Sequence, residues 1–305
     1  MDKLIEREPA TRHALAGAPA LATQFFLIPL AVVAVAVMVY LGFRSLVTDG
    51  RSAQDYLSEV RHGGTSRRWP AAYELSRLLA DPNVRADRAL APALVKAYEA
   101  SKDDSDPRVR RYLALAIGRL DPPLPAQAVT DLSQALDDPD SEAKISAIWA
   151  LGASGDEAVV PTLRPLFDSA DAGVRKMTVY ALGALPGDQQ VDTLRTALED
   201  SVPDVRWNAA VALARHGRHE GAAVLRQMLD RAFVERVVTR HVRVDDEQDP
   251  IADVMTSGIR AGAALKEEGL RLSIERLSET DRSLKVRQAA LEALKVLGPQ
   301  KMQMF

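Results

Sequence analysis

The 305-residue chain contains no cysteine, which excludes disulfides, thiolate nucleophiles and cysteine-held metals. That absence suits either side of a membrane and fixes no compartment. Aromatic residues supply only 5%, and alanine, leucine and valine dominate the apolar 47%, a bias that suits short, closely packed helices. Excess charge is lacking as well: Lys+Arg 39 against Asp+Glu 42 leaves a net charge of −3, so there is no broad attraction for a polyanion such as DNA. No glycine-rich phosphate loop follows a strand and no GxSxG elbow occurs. The carboxylates fall mostly in caps and turns rather than in a shared pocket. These silences argue against an enzyme, and no catalytic, cofactor-binding or metal-binding residue is assigned.

What is present begins with an uncharged run, residues 25–43, FFLIPLAVVAVAVMVYLGF. As a helix rising about 1.5 Å per residue it would match roughly 30 Å of hydrocarbon. It is longer than a signal-peptide core and lacks a small-x-small exit. The expectation is a transmembrane helix over residues 23–46, after a juxtamembrane segment 1–22, making a single-pass cell-membrane protein. Orientation follows flanking Lys and Arg, and Lys3, Arg7 and Arg12 balance Arg44, Arg51 and Arg61. Arg44 abuts the run and tips the assignment toward a cytoplasmic body, with a periplasmic one as the alternative.

Beyond residue 52 a pattern recurs. Val109-Arg110 precedes Ala116-Ile117-Gly118, Ala143-Lys144 precedes Ala150-Leu151-Gly152, Val174-Arg175 precedes Ala181-Leu182-Gly183, and Val205-Arg206 precedes Ala212-Leu213. The steps from Lys144 to Arg175 and from Arg175 to Arg206 are equal, and the step from Arg110 to Lys144 is three positions longer. Val286-Arg287 with Ala293-Leu294 keeps the internal spacing. Each unit opens on an aspartate or proline turn such as Asp106-Pro107, which suits a helix start. Gly155, Pro186-Gly187 and Gly217 mark stops. A second helix carries Leu132, Leu163, Leu194 and Leu225, with an apolar residue four positions on at Leu136, Phe167, Leu198 and Leu229, the stripe that faces a partner helix. One such hairpin buries too little apolar surface to offset its own ordering entropy. The units must stack, and the expected product is all-α: an α-solenoid over residues 52–305, a right-handed superhelix with an extended inner surface.

The stretches VRKMTVYALGALPGD and VRWNAAVALARHG resemble short HEAT repeats of the phycobilisome-lyase-like class, over roughly residues 52–298. With the apolar run, the chain is similar to membrane-anchored bacterial HEAT repeat proteins. That resemblance implies architecture more than activity, since the family spans scaffolds, adaptors, lyase-associated subunits and metal-dependent hydroxylases.

The pattern breaks after Arg206, because the next member of the basic column, Arg287, stands more than two repeat lengths away. Gly258 is read at the basic position of a degenerate unit, with Leu265-Lys266 and Gly269 in the leucine and glycine columns. The insertion, near residues 231–250, places Phe233 and Val237 beside Arg236 and Arg240. It reads either as a partner-binding extension or as a lengthened second helix that caps a groove.

Arg164, Arg195 and Arg226 recur at the repeat interval and predict an arginine ladder that could grip an acidic partner. Asp168, Glu199 and Asp230, four residues on, offer a structural pairing instead. The basic column from Arg110 to Arg287 belongs to the repeat signature, and Asp106, Asp140 or Asp171 stands four residues before it in three units. His216, His219 and Glu220 are the one cluster with ligand-like chemistry; the resemblance implies several His-Glu pairs in an iron hydroxylase, whereas this chain has one. Trp69, Trp149 and Trp207 read as packing residues. The function expected is a scaffold or adaptor binding protein partners on the solenoid's inner face, and not nucleic acid. The alternative is a HEAT-type lyase or metal-dependent modification enzyme.

Overall fold

The computed structural model describes residues 28–47, 51–238 and 249–298, and the chain divides between Ser52 and Ala53 into two units. The first contains α1 (Ile28–Val47), whose side chains from Pro29 to Gly42 are exposed. Among the described residues no helix is long and apolar enough to cross a membrane. This overturns the expected single-pass anchor and the membrane localisation built on it. The physical reason is length: the described helix starts at Ile28 and carries Arg44 and Ser45 near its end. Its uncharged part, Ile28 to Phe43, rises about 24 Å, short of roughly 30 Å of hydrocarbon. Phe25 to Leu27 and segment 1–22 lie outside the described residues.

The second unit opens with α2 (Ala53–His62), α3 (Thr65–Leu78), α4 (Pro82–Arg85) and α5 (Leu90–Ala100). Next come α6 (Pro107–Ile117), α7 (Ala126–Gln134), α8 (Ser141–Ala153), α9 (Val160–Leu163), α10 (Ala172–Ala184), α11 (Val191–Ala197) and α12 (Pro203–Arg215). The last are α13 (Ala222–Met228), α14 (Arg231–Val237), α15 (Pro250–Ala264), α16 (Arg271–Thr280) and α17 (Leu284–Leu297). No strand occurs among the described residues. Front helices α3, α6, α8, α10, α12, α15 and α17 pack one on the next, and back helices such as α11 and α13 lean on the front helices beside them.

Local chemistry sets the helix starts. Asp106, Asp140, Asp171 and Asp249 each accept an amide from the first turn of the helix they precede, at 3.0, 2.8, 2.7 and 3.1 Å, filling one of the orphan donors there. Pro107, Pro203 and Pro250 occupy first helical positions, where a missing donor is harmless. Gly155 and Gly217 close α8 and α12 with φ of 68° and 67°, the left-handed conformation that lets glycine end a helix.

The Ala-Leu-Gly signature has a packing cause. A Cβ added to Gly118 would meet the Ala150 Cα at 2.7 Å, one on Gly152 the Ala181 Cα at 2.7 Å, and one on Gly183 the Ala212 Cβ at 2.3 Å. The glycines at the carboxyl ends of α6, α8 and α10 are therefore sockets for the alanine of the next front helix. Ile117, Leu151, Leu182 and Leu213, between those two columns, are fully buried. The series stops at α12, where Ala214 stands in place of the glycine. There the core divides into two clusters: Val205, Ala209 and Leu213 join one, Trp207, Ala210 and Ala214 the other.

The long sixth unit is α14 followed by α15, a front helix of 15 residues. Counting from its capping Asp249, the basic position is held by Asp253 rather than by Gly258 as the sequence pattern suggested. Gly258 and Gly262 instead admit Met228 and Leu270, which a Cβ would meet at 2.8 and 2.6 Å. Lys266, at φ 53°, stands after α15 where Gly155 and Gly217 stand after theirs, rather than in the leucine column.

Two substitutions test this packing by urea denaturation. Gly152→Ala is expected to lower stability by about 1–3 kcal/mol through overpacking against Ala181. Lys266→Gly is expected to raise it by about 1 kcal/mol by removing a left-handed non-glycine residue.

Candidate protein-docking surfaces

The basic column builds an interlock between repeats. Arg110 lies four residues past the capping Asp106 and donates Nη1 to the Asp104 carbonyl of its own turn at 2.7 Å. Its Nε and Nη2 reach both oxygens of Asp138, in the turn opening the next repeat, at 2.7 and 3.2 Å. Arg175 does the same with the Ser169 carbonyl at 2.9 Å and the Asp200 carboxylate at 2.8 and 3.1 Å. Arg68 joins the Val60 carbonyl at 2.7 Å to Asp104 at 2.6 Å. Asp104, Asp138 and Asp200 also accept the amides of Asp106, Asp140 and Val202, so each carboxylate shapes one turn and ties it to the preceding front helix. Arg206 and Arg287 keep the carbonyl half, to Asp200 and Asp281, both at 2.6 Å.

The expected pairing of this column with Asp106, Asp140 and Asp171 is not what forms. Those carboxylates are turned onto the amides of their own helices, which leaves the guanidinium groups free to cross to the next repeat. The arginine also sets the ionisation. Hydrogen bonding from Arg175 holds the Asp200 carboxyl below the usual carboxylate range. Burial pushes the Asp138 carboxyl up, and the Arg110 guanidinium, the Asp140 amide and Lys144 together outweigh it and hold it below the usual range.

At the back helices Arg164 donates Nε to Thr193 Oγ1 at 3.2 Å, and Arg195 bonds Glu220 at 2.9 and 2.7 Å and Asp192 at 2.8 Å. Arg226, in α13, has no hydrogen-bond or ion-pair partner for its side chain among the described residues. The pairings with Asp168, Glu199 and Asp230 fail because the helical spacing ends first. Arg164–Asp168 winds as a 3₁₀ segment, where residues four apart no longer align. Helices α11 and α13 stop before Glu199 and Asp230, and Asp230 instead caps α14 through the Phe233 amide at 3.1 Å.

In the insertion Phe233 and Val237 pack, partly buried, against the second core cluster, and the Arg236 guanidinium lies 5.9 Å from the Phe233 ring centre. Arg240 lies outside the described residues. His219 Nδ1 meets Glu267 Oε2 at 2.9 Å, Gln190 lies 3.3 Å from His216 Nε2, and Glu220 is held by Arg195. The suspected ligands are thus dispersed over three partners, and no group of three His, Asp or Glu suited to a metal occurs among the described residues.

The front face holds what the sequence left among packing residues. Trp207 does pack, at 4% exposure, but its indole nitrogen is buried with no acceptor. It lines a groove of about 390 Å³ between α10, α12 and α15, with Met177, Tyr180, Val211 and Val254 as apolar walls. Asp204, Asn208 and Arg215 also line it, and Arg215 sits 5.8 Å from the Tyr180 ring centre. The groove opens where the glycine socket is missing, at the step from α12 to α15. Further along, Trp69 and Tyr112 stack at 6.3 Å, Tyr73 meets Tyr112 edge-on at 5.1 Å, and Arg108 covers Trp69 at 4.2 Å. The signal present in the sequence was the spacing of Trp69 and Tyr73, one helical turn apart.

Interlocked hairpins with long open faces define an all-helical repeat scaffold. Residues 91–183 and 165–242 match a family model for HEAT repeats, and the chain carries HEAT repeats across that stretch. No curated protein matches it. Among solved structures it is similar to a designed armadillo repeat protein in complex with the peptide (KR)4, at 16% identity over 82% of this chain and 100% of that one, TM-score 0.44. It is similar also to an engineered protein, at 20% identity over 80% and 96%, TM-score 0.42. A third is human deoxyhypusine hydroxylase in complex with glycerol, at 20% identity over 80% and 95%, TM-score 0.33.

Because the Asp200 pKa is depressed in the folded chain, its stabilisation is complete above the unfolded aspartate pKa and lost as pH falls through the folded one. Asp200→Asn is expected to cost about 1–3 kcal/mol at neutral pH. The gap to the parent chain should close on acidification below pH about 4, as urea midpoints measured across pH would show.

Proposed function

We propose that the chain is a non-catalytic scaffold or adaptor that binds another polypeptide. The observation that carries this is the groove between α10, α12 and α15. It offers apolar walls to a side chain and a polar rim of Asp204, Asn208 and Arg215. An extended peptide supplies both complements, an apolar side chain and backbone polar groups. Rigid helices present the groove already formed, which lowers the ordering cost of binding. Of the back-helix arginines, Arg164 and Arg195 are already bonded to Thr193, Glu220 and Asp192, and Arg226 is offered to a partner as a second surface. Phe233 and Val237 pack α14 against the second core cluster, and Arg236 is exposed on that helix.

The test is recovery of a stoichiometric partner with the full chain and its dependence on the groove. Tyr180→Ala removes a ring 39% exposed and should weaken the complex by about 2 kcal/mol, as aromatic anchors do, with an unchanged urea midpoint. A partner held equally by Tyr180→Ala and Val211→Glu chains would refute the groove as the docking site.

A further inference from the structure

The back-helix arginines are unequal in what they already hold. Arg195 is neutralised by Glu220 and Asp192, and Arg164 is bonded to a threonine hydroxyl. Toward the carboxyl end the balance changes. A cavity of about 400 Å³ is lined by Arg226, Arg231 and Arg276, with Ser273 and the apolar walls Leu229 and Leu277. Arg276 stands as far beyond Arg226 as Asp281 stands beyond Arg231, so the lengthened repeat carries Arg276 as a further rung of the same row.

Position 231 is where the column changes sign. It stands one repeat interval beyond Asp200, the same step that separates Arg175 from Arg206, yet it bears a guanidinium where Asp200 and Asp281 bear carboxylates. Arg231 binds both oxygens of Asp281 at 2.8 and 2.6 Å, supplying the grip that Asp253, at the basic position of α15, cannot. Asp253 is itself paired with Lys285. Arg231 Nη1 is buried with no hydrogen-bond partner, its nearest carboxylate being Glu235 at 3.6 Å. Asp230, also lining the cavity, is engaged in capping α14. The side chains of Arg226 and Arg276 have no hydrogen-bond or ion-pair partner among the described residues. Three guanidinium groups thus share one cavity whose acids are already committed.

We infer that an acidic polypeptide segment docks here, its carboxylates received by Arg226 and Arg276 and its side-chain stems packed on Leu229 and Leu277. Guanidinium forks match carboxylates in planar, paired hydrogen bonds. The cationic patch is too small, on a chain of net charge −3, to hold a nucleic-acid backbone, which needs a long run of neutralising contacts. The surface is separate from the Tyr180 groove, and it specifies the chemistry of a partner that the groove leaves open.

The test is fluorescence anisotropy of the full chain with labelled octaglutamate and, as control, octalysine, at low ionic strength. Octaglutamate should bind saturably and octalysine should not. Arg226→Gln/Arg276→Gln should weaken octaglutamate binding by about tenfold or more, while Arg195→Gln and Tyr180→Ala should leave it within about twofold. Should the double variant fail to fold, Arg226→Glu alone on its exposed side chain gives the same comparison. No saturable octaglutamate binding, equal affinity in the Arg226 and Arg276 variants, or displacement of the peptide by submillimolar inorganic phosphate would overturn the inference. Because Tyr180→Ala is a control here, failure of the groove reading and failure of this one are distinguishable.

Discussion

Everything in the second unit depends on how closely one front helix approaches the next. Gly118, Gly152 and Gly183 lack the Cβ that would collide with Ala150, Ala181 and Ala212, and that contact brings turn and helix near enough for Arg110 to span to Asp138 and Arg175 to Asp200. The two devices are of one geometry. Dispersion and apolar burial act over the shallow distance that the small residues permit, and the arginine fork fixes register along the row. A methyl group in the socket would therefore strain the ion pair as well as the packing.

The step from α12 to α15 shows the effect of losing the socket. Ala214 replaces the glycine, the buried residues divide between two clusters, and the basic residue of α15 becomes Asp253. Three substitutions of role appear within this unit. Arg231 reaches Asp281 from α14, Gly258 and Gly262 receive back-helix side chains, and Lys266 adopts the conformation that glycine holds elsewhere. The groove and the arginine-rich cavity both adjoin this irregular unit. In a stack of equivalent hairpins, a changed step is where two faces cease to be filled by the next copy.

Most of the repeat architecture was legible in the sequence because its causes are local and periodic. The aspartate caps, the buried Leu132, Leu163, Leu194 and Leu225, and the glycine stops all stand where spacing placed them. Pairing was less legible. Asp106 and Asp140 are four residues from Arg110 and Lys144 in sequence, but capping already claims their oxygens, and the true partner of Arg110 lies 28 residues away. Likewise the helical spacing that linked Arg195 to Glu199 needs a turn of α11 that does not form. The apolar run misled for a different reason: composition reports hydrophobicity without fixing how a helix lies across it, and the described helix α1 carries Arg44 and Ser45 within its last turn. The surfaces were hardest to read, since Tyr180, Trp207 and Val254 converge only through the packing of three helices far apart in sequence.

Charge assignment also limits where an acidic ligand can be held. A guanidinium group that is already satisfied contributes little to a new partner, because binding must first break an existing bond of equal chemistry. In this chain the repeat signature consumes Arg68, Arg110, Arg175 and Arg231 in the interlock, and surface acids consume Arg195, Arg218 and Arg271. The remainder is set by register. At the longer unit, position 231 carries an arginine in place of the turn acid, and Asp230 falls beyond the end of α13, where it caps α14 instead. Arg226 is left unspent for that reason, and Arg276 lines the same cavity from α16.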